Sequence, residues 1–301
     1  MTGKMNDILS FFSDGEEKNK TEKGVLYLVA TPIGNISDIT VRALKVLSEV
    51  DFIAAEDTRN SGKLLSLLGI SKPFVSYHEH NKREAGDRIL KRLKNGEACA
   101  LITDAGTPAV SDPGNEMCIL CAENGVKVTA VPGCCAAIDA LCVSALPTRR
   151  FAFEGFLPTA SKERRRRLSY IRDDDRTCVL YEAPHRIKET LEELLSFLGD
   201  RKISLCRELT KLNEEVMRTT LCDAVEYFKE HSPRGEYVIV IAPGEAEKAC
   251  VPDAKVLFDE VNLLCDSGIP PKEAMKAVGE KYNINKNEVY RAVLEFKKQH
   301  G

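Results

Sequence analysis

Ten short apolar runs, spaced by amphipathic stretches, constrain this chain more than any other feature, because runs this short suit buried strands while the intervals carry helical spacing. The first five are VLYLVA from Val25, DFIAAE from Asp51, FVSYHE from Phe74, ACALITD from Ala98 and VKVTAVPG from Val126. Between them lie stretches such as ITVRALKVLSEV and NKREAGDRILKRLKNG, the alternation of a largely parallel α/β sheet. The second five are FAFEGF from Phe151, TCVLYE from Thr177, KISLCRELT from Lys202, EEVMRTTL from Glu214 and GEYVIVIAPG from Gly235. Here two runs almost abut, which predicts a mixed sheet and a boundary near Ala145 to Arg149.

Outside these runs the pattern changes. Residues 1–23 are polar apart from Ile8, Leu9, Phe11 and Phe12 and read as a flexible tail. After Pro243 and Gly244, GEAEKACVPD reads as a linker, and the remainder is helical in pattern. One helix is expected near 253–266 and one near 271–282, divided by Gly268-Ile269-Pro270-Pro271; a third is capped by Asn285. Three short helices with a Gly/Pro turn suit a helix-turn-helix-like module. The expected organisation is a tail (1–23), an α/β domain (24–146), a second α/β domain (147–243) and a C-terminal helical module (251–301).

Composition then excludes several classes. At 43% hydrophobic the chain has enough apolar mass for real cores. No apolar run reaches 18 residues and the N-terminus carries no apolar signal segment, so a cytoplasmic protein without membrane contact is expected. The eleven cysteines are odd in number and scattered in apolar sequence, as reduced core thiols are. Cys118 and Cys121 form a lone CxxC with no second pair, and no metal is expected. Net charge is −3, so nucleic-acid binding must rest on local patches, of which Ser161 to Arg167 (SKERRRR) is the densest.

Polar and glycine residues gather where strands of an α/β sheet end, the place where open parallel sheets bind ligands. Thr31-Pro32-Ile33-Gly34-Asn35 follows the first run, Thr103 to Gly114 (TDAGTPAVSDPG) the fourth, and Val131 to Ala136 (VPGCCA) the fifth. Neither GxGxxG after the first strand nor GxxxxGK[ST] anywhere is present, which disfavours dinucleotide and P-loop readings. No GxSxG or HExxH occurs.

TPIGN, AEDTRNS, SYHEHN, ITDAGTPAVSDPG, VPGCCAAIDAL, FEGFLP, YEAPHR, RELTK and GEYVIV, in that order from about Leu26 to Ile241, resemble the RsmI family of ribosomal RNA 2'-O-ribose methyltransferases. The resemblance extends to the C-terminal module. It implies two α/β domains of the tetrapyrrole-methylase type (class III), S-adenosylmethionine as cofactor, a homodimer, no metal, and methylation of a cytidine ribose in 16S rRNA. It also implies cofactor contacts from Pro32, from Asp104, Ala105, Gly106 and Thr107, from Gly133, Cys134 and Cys135, and from Glu182, Ala183, Gly235 and Glu236.

Removing the proton of the attacking hydroxyl would assist in-line methyl transfer, and the candidate bases are Glu56, Asp57, His78, Glu182 and Glu236. Arg59 and Asn81 resemble RNA-facing positions of the family. With Lys211 and Arg164, Arg165, Arg166 and Arg167 they form a candidate phosphate-binding set. Tyr77, Phe156 and Tyr181 are candidate stacking platforms. Two rivals remain at this point: a relative on the same fold acting on a tetrapyrrole or a protein, and a DNA-binding regulator. Against the regulator, Pro270 to Gly301 holds seven cations and four acids, a weak electrostatic footprint.

Overall fold

The computed structural model describes residues 20–244, 252–282 and 284–300. Most of the expected tail and most of the expected linker lie outside the described residues. Up to Pro243 the chain forms one compact unit containing two five-stranded sheets, and a second unit runs from Gly244 to the C-terminus.

All ten apolar runs become strands. The first sheet uses β1 (Leu26–Val29), β2 (Phe52–Ala55), β3 (Phe74–Ser76), β4 (Cys99–Ile102) and β5 (Val128–Val131) in the order β3-β2-β4-β1-β5, every pair parallel. Helices α1 (Val41–Glu49), α2 (Thr58–Leu67), α3 (Lys82–Lys94), α4 (Asn115–Glu123) and α5 (Ala136–Val143) intervene. Both faces of this sheet are covered, so β2 and β4 are buried throughout and read as continuous apolar runs. Helix starts follow local chemistry: the Thr40 hydroxyl accepts from Ala43 N at 3.1 Å to cap α1, and Asp57 accepts from Arg59 N at 2.8 Å to cap α2. Residues 20–23 correct part of the tail expectation. Thr21 Oγ1 donates to Glu49 at the end of α1 at 2.6 Å and Glu22 pairs with Lys127, just before β5, at 2.6 Å, which ties them to the first α/β layer.

The second sheet orders β6 (Phe151–Phe156), β7 (Thr177–Glu182), β10 (Tyr237–Ile241), β8 (Lys202–Arg207) and β9 (Glu215–Thr220), with β6 and β7 parallel and the other pairs antiparallel. The abutting runs form the β8–β9 pair, as their short separation requires. Helices α6 (Ser161–Asp173), α7 (Ile187–Leu198) and α8 (Leu221–Glu230) enclose its larger core. The opposite face is covered by α5, through Ala137, Ala140 and Leu141 against Val179, Val238 and Val240. This one helix follows a strand of the first sheet and packs on the second, which binds the two together.

The C-terminal unit contains α9 (Ala254–Asp266), α10 (Pro271–Lys281) and α11 (Lys286–His300) around Leu257, Val261, Ala274, Val278, Val289 and Val293. Asn285 N donates to Glu288 at 3.1 Å while Asn285 Oδ1 accepts from Asn287 N at 2.9 Å, so Asn285 caps α11 as its sequence position predicts. Among the described residues no helix is long and apolar enough to cross a membrane.

Candidate active site

The strand order decides where the three small-residue loops meet. Because β1 lies between β4 and β5, the chain leaving all three strands emerges side by side at the carboxyl edge of one sheet. The loops are also stitched together. Thr31 and Gly106 exchange backbone hydrogen bonds of 2.9 and 3.0 Å, Thr31 Oγ1 donates to Thr103 O, and Thr107 Oγ1 donates to Cys134 O at 2.8 Å. Gly106 sits at φ +80°, a conformation costly for residues with a Cβ, and a Cβ on Gly133 would come within 2.9 Å of that of Ala30.

These loops and the ends of β7, β8 and β10 enclose a cavity of about 450 Å³. Of the residues implied as cofactor contacts, Ala105, Thr107, Cys135, Glu182, Ala183 and Glu236 line it. Pro32, Gly106, Gly133, Cys134 and Gly235 do not; they hold the loops that carry the lining. Asp104 is exposed beside the lining residues Ala105 and Thr107, its carboxylate accepting from Asn60 Nδ2 at 3.0 Å. The acidic residue that this loop contributes to the cavity lining is Asp112. Burial pushes its carboxyl up to about 6, and the nearby carboxylates of Glu56 and Asp104 reinforce the shift. Sequence reading passed over Asp112 because Ser-Asp-Pro-Gly is also ordinary turn chemistry.

The candidate bases fare differently. Glu182 is buried and both its oxygens are engaged, one by Ala183 N at 2.9 Å and one by the Thr190 hydroxyl at 2.6 Å. Asp57 is occupied by the α2 cap and by Arg59, which hold its carboxyl below the usual range. Glu236 is 82% exposed and pairs with Lys211 at 3.1 Å. Glu56 is raised by burial and then by Asp104, but it stands outside the cavity lining, as does His78, whose Nδ1 is buried without a partner.

The expected RNA-facing set is divided. Arg164 is a correction: it is 7% exposed and turns inward to Glu193 at 2.5 Å, Thr190 Oγ1 at 2.8 Å and Pro158 O. Helical spacing puts Arg164 on the same face as Leu168 and Ile171, and that face is the buried one. Asn81 is also internal to its turn, donating to Ser76 O and accepting from His78 N. Arg165, Arg166 and Arg167 are exposed, the last bonded to Glu154, and Arg59 is 86% exposed. Lys211 faces the cavity between Glu208 and Glu236. Tyr77 is 2% exposed, which removes it as a platform. Phe156 and Tyr181 both line the cavity and meet edge to face, centroids 5.6 Å apart.

Known proteins match this arrangement. The model of the Tetrapyrrole (Corrin/Porphyrin) Methylases matches residues 25–225. The chain is 44% identical to "Ribosomal RNA small subunit methyltransferase I" of Synechocystis sp. over 90% of its own length and 98% of that protein. It is 43% identical to the protein of the same name from Halalkalibacterium halodurans, over 91% and 96%. The chain belongs to the ribosomal RNA small subunit methyltransferase I family. Among solved structures, the uroporphyrin-III-C-methyltransferase of Thermus thermophilus superposes with a TM-score of 0.53 at 21% identity, covering 73% of this chain and 94% of that one. That likeness is one of fold, and it shows the class III methyltransferase architecture.

A methyltransferase of this family needs room for S-adenosylmethionine, a cation with an adenine, a ribose diol and an amino-acid head, and the cavity fits that chemistry. Ile33, Val110 and Val238 give an apolar wall, the stitched loops present backbone polar groups, and Asp112 and Glu208 give negative charge. Among the described residues no group of three or more His, Cys, Asp or Glu side chains is placed to hold a metal.

Proposed function

We propose that this enzyme transfers a methyl group from S-adenosylmethionine to the ribose 2'-hydroxyl of a cytidine in 16S rRNA. The observation that carries the reading is the cavity of about 450 Å³ that the loops after β1, β4 and β5 form with the second sheet, large enough for the cofactor and lined by Asp112, whose carboxyl burial pushes up to about 6. The names of the relatives supply the substrate.

Ala105, Thr107, Cys135, Glu182, Ala183 and Glu236 hold the cofactor, with Pro32, Gly106, Gly133, Cys134 and Gly235 fixing the loops beneath them. When bound, the cofactor supplies an electrophilic methyl group on a sulfonium. Asp112 accepts the proton of the incoming hydroxyl, and its raised proton affinity suits that task better than an ordinary aspartate would. Phe156 and Tyr181 form an aromatic wall against which a nucleobase stacks beside the reacting ribose. Arg59, Arg165, Arg166 and Lys211 serve the RNA backbone. Lys211 does so by exchanging its carboxylate partners for phosphate.

The reading includes a homodimer, supported by the exposed apolar side chains of Ile138 and Val143 on α5 and by Leu212, which is 99% exposed. It also includes a cytoplasmic location and catalysis without metal. The deciding experiment incubates the protein with methyl-labelled cofactor, after chelator treatment, and either naked 16S rRNA or 30S particles. Label mapped to one cytidine ribose is expected; label on no RNA overturns the reading, and sedimentation mass tests the dimer.

A further inference from the structure

A second cavity, of about 330 Å³, opens at the same end of the second sheet as the cofactor cavity but on its other face. Strand alternation produces this arrangement. Cys206 and Val238 point to the α5 face and line the first cavity, whereas Leu205, Arg207 and Tyr237 point to the α8 face and line the second. The two are separated by one rim, where Glu208 N donates to Glu236 O at 3.2 Å and Glu236 N donates to Glu208 Oε1 at 3.0 Å. Tyr237 borders both.

The second cavity combines the elements that bind an unpaired nucleotide. The His231 imidazole lies flat on the Tyr227 ring, centroids 4.0 Å apart and 2° from parallel, and its Nδ1–H donates to Tyr227 O at 2.8 Å, which locks the ring in place. His231 is exposed, lines the cavity and makes no further ring contact among the described residues, so another planar group can continue the stack. Arg234, exposed on the cavity edge, has no ion-pair partner for its guanidinium among the described residues. Arg207 bonds Glu215 through Nε at 3.0 Å and Nη2 at 2.8 Å, which places donor and acceptor groups together at the wall. An aromatic stacking face, an unpaired cation and a mixed polar edge match base, phosphate and base edge respectively.

We propose that this cavity binds a nucleotide neighbouring the methylated one, its base stacked on His231 and its phosphate on Arg234, with the RNA strand crossing the Glu208–Glu236 rim. The inference rests on the rRNA reading above. It gives the enzyme a sequence-context sensor separate from the chemistry, because none of Tyr227, His231 and Arg234 lines the cofactor cavity.

The test measures methyl transfer to 30S particles or 16S rRNA, with cofactor affinity measured in parallel as the check on folding. His231→Ala is expected to raise the KM for RNA about tenfold, as loss of one stacked base does. His231→Phe, which keeps a ring, should restore it. Arg234→Ala should lower the slope of log affinity against log salt by about one. Cofactor affinity should be unchanged in all three. An active wild type whose His231→Ala and Arg234→Ala variants keep the original KM and salt slope overturns this site alone. A wild type that methylates no rRNA overturns the functional reading and this site with it.

Discussion

Asp112 has a raised proton affinity because it is half buried and two other carboxylates, Glu56 and Asp104, lie near it. A carboxyl raised in the folded state stabilises the fold relative to an ordinary one only while protonated, so its cost appears as pH rises through about 6. The full shift would be worth roughly 3 kcal/mol, but solvent screening of a half-exposed group reduces this to about 1 kcal/mol. Asp112→Asn should therefore raise the melting temperature by about 2–4 °C at pH 8 and leave it unchanged at pH 3.5. The same variant should lose about 100-fold or more in methyl transfer. In the wild type, kcat/KM should fall about tenfold per pH unit below about 6. A pH profile flat down to pH 5, or an active Asp112→Asn, removes Asp112 as the base. None of this is legible in the sequence. Three residues 8 to 56 positions apart share a charge environment only because β2 and β4 are neighbours in the sheet.

At the scale of the element, α6 shows how a charge run divides. Ser161 to Arg167 reads as one basic patch, yet a helix turns 100° per residue, so consecutive arginines point in different directions. Arg164 lands on the face of Leu168 and Ile171, and its guanidinium joins Thr190, which in turn bonds Glu182 in the cofactor cavity. Arg165 and Arg166 remain on the solvent side. The helical spacing that separates them was already present in the sequence. Arg164→Ala should destabilise the fold by about 2–3 kcal/mol, since it leaves Glu193 and Thr190 without their partner, and should weaken cofactor binding through Glu182. The double change of Arg165 and Arg166 to Ser should leave stability within about 0.5 kcal/mol and lower RNA affinity with a shallower salt slope. Denaturant unfolding and RNA titration separate the two outcomes. A stable Arg164→Ala with weakened RNA binding would reverse the assignment.

The whole molecule is legible in outline because its strands announce themselves. Each buried parallel strand must be apolar on both faces, so β2 and β4 stand out, and loops rich in small residues mark the sheet's ligand edge. What periodicity cannot supply is strand order, and therefore neither the cavity wall nor the second cavity follows from it. The C-terminal unit is different, since its three helices carry their own apolar repeat and their own core of Leu257, Val261, Ala274, Val278, Val289 and Val293. A segment with a separate core leaves the α/β unit intact when removed. Truncation after Gly244 should therefore preserve cofactor affinity within about twofold and cost the melting transition of residues 20–243 little. Its cations, among them Lys286, Arg291 and Lys298, suit particle docking, so the KM for 30S should rise while kcat at saturating substrate holds. Titrating 30S against the truncated enzyme decides the matter: an unchanged KM ends the docking role, and lost cofactor binding would mean the two units depend on each other to fold.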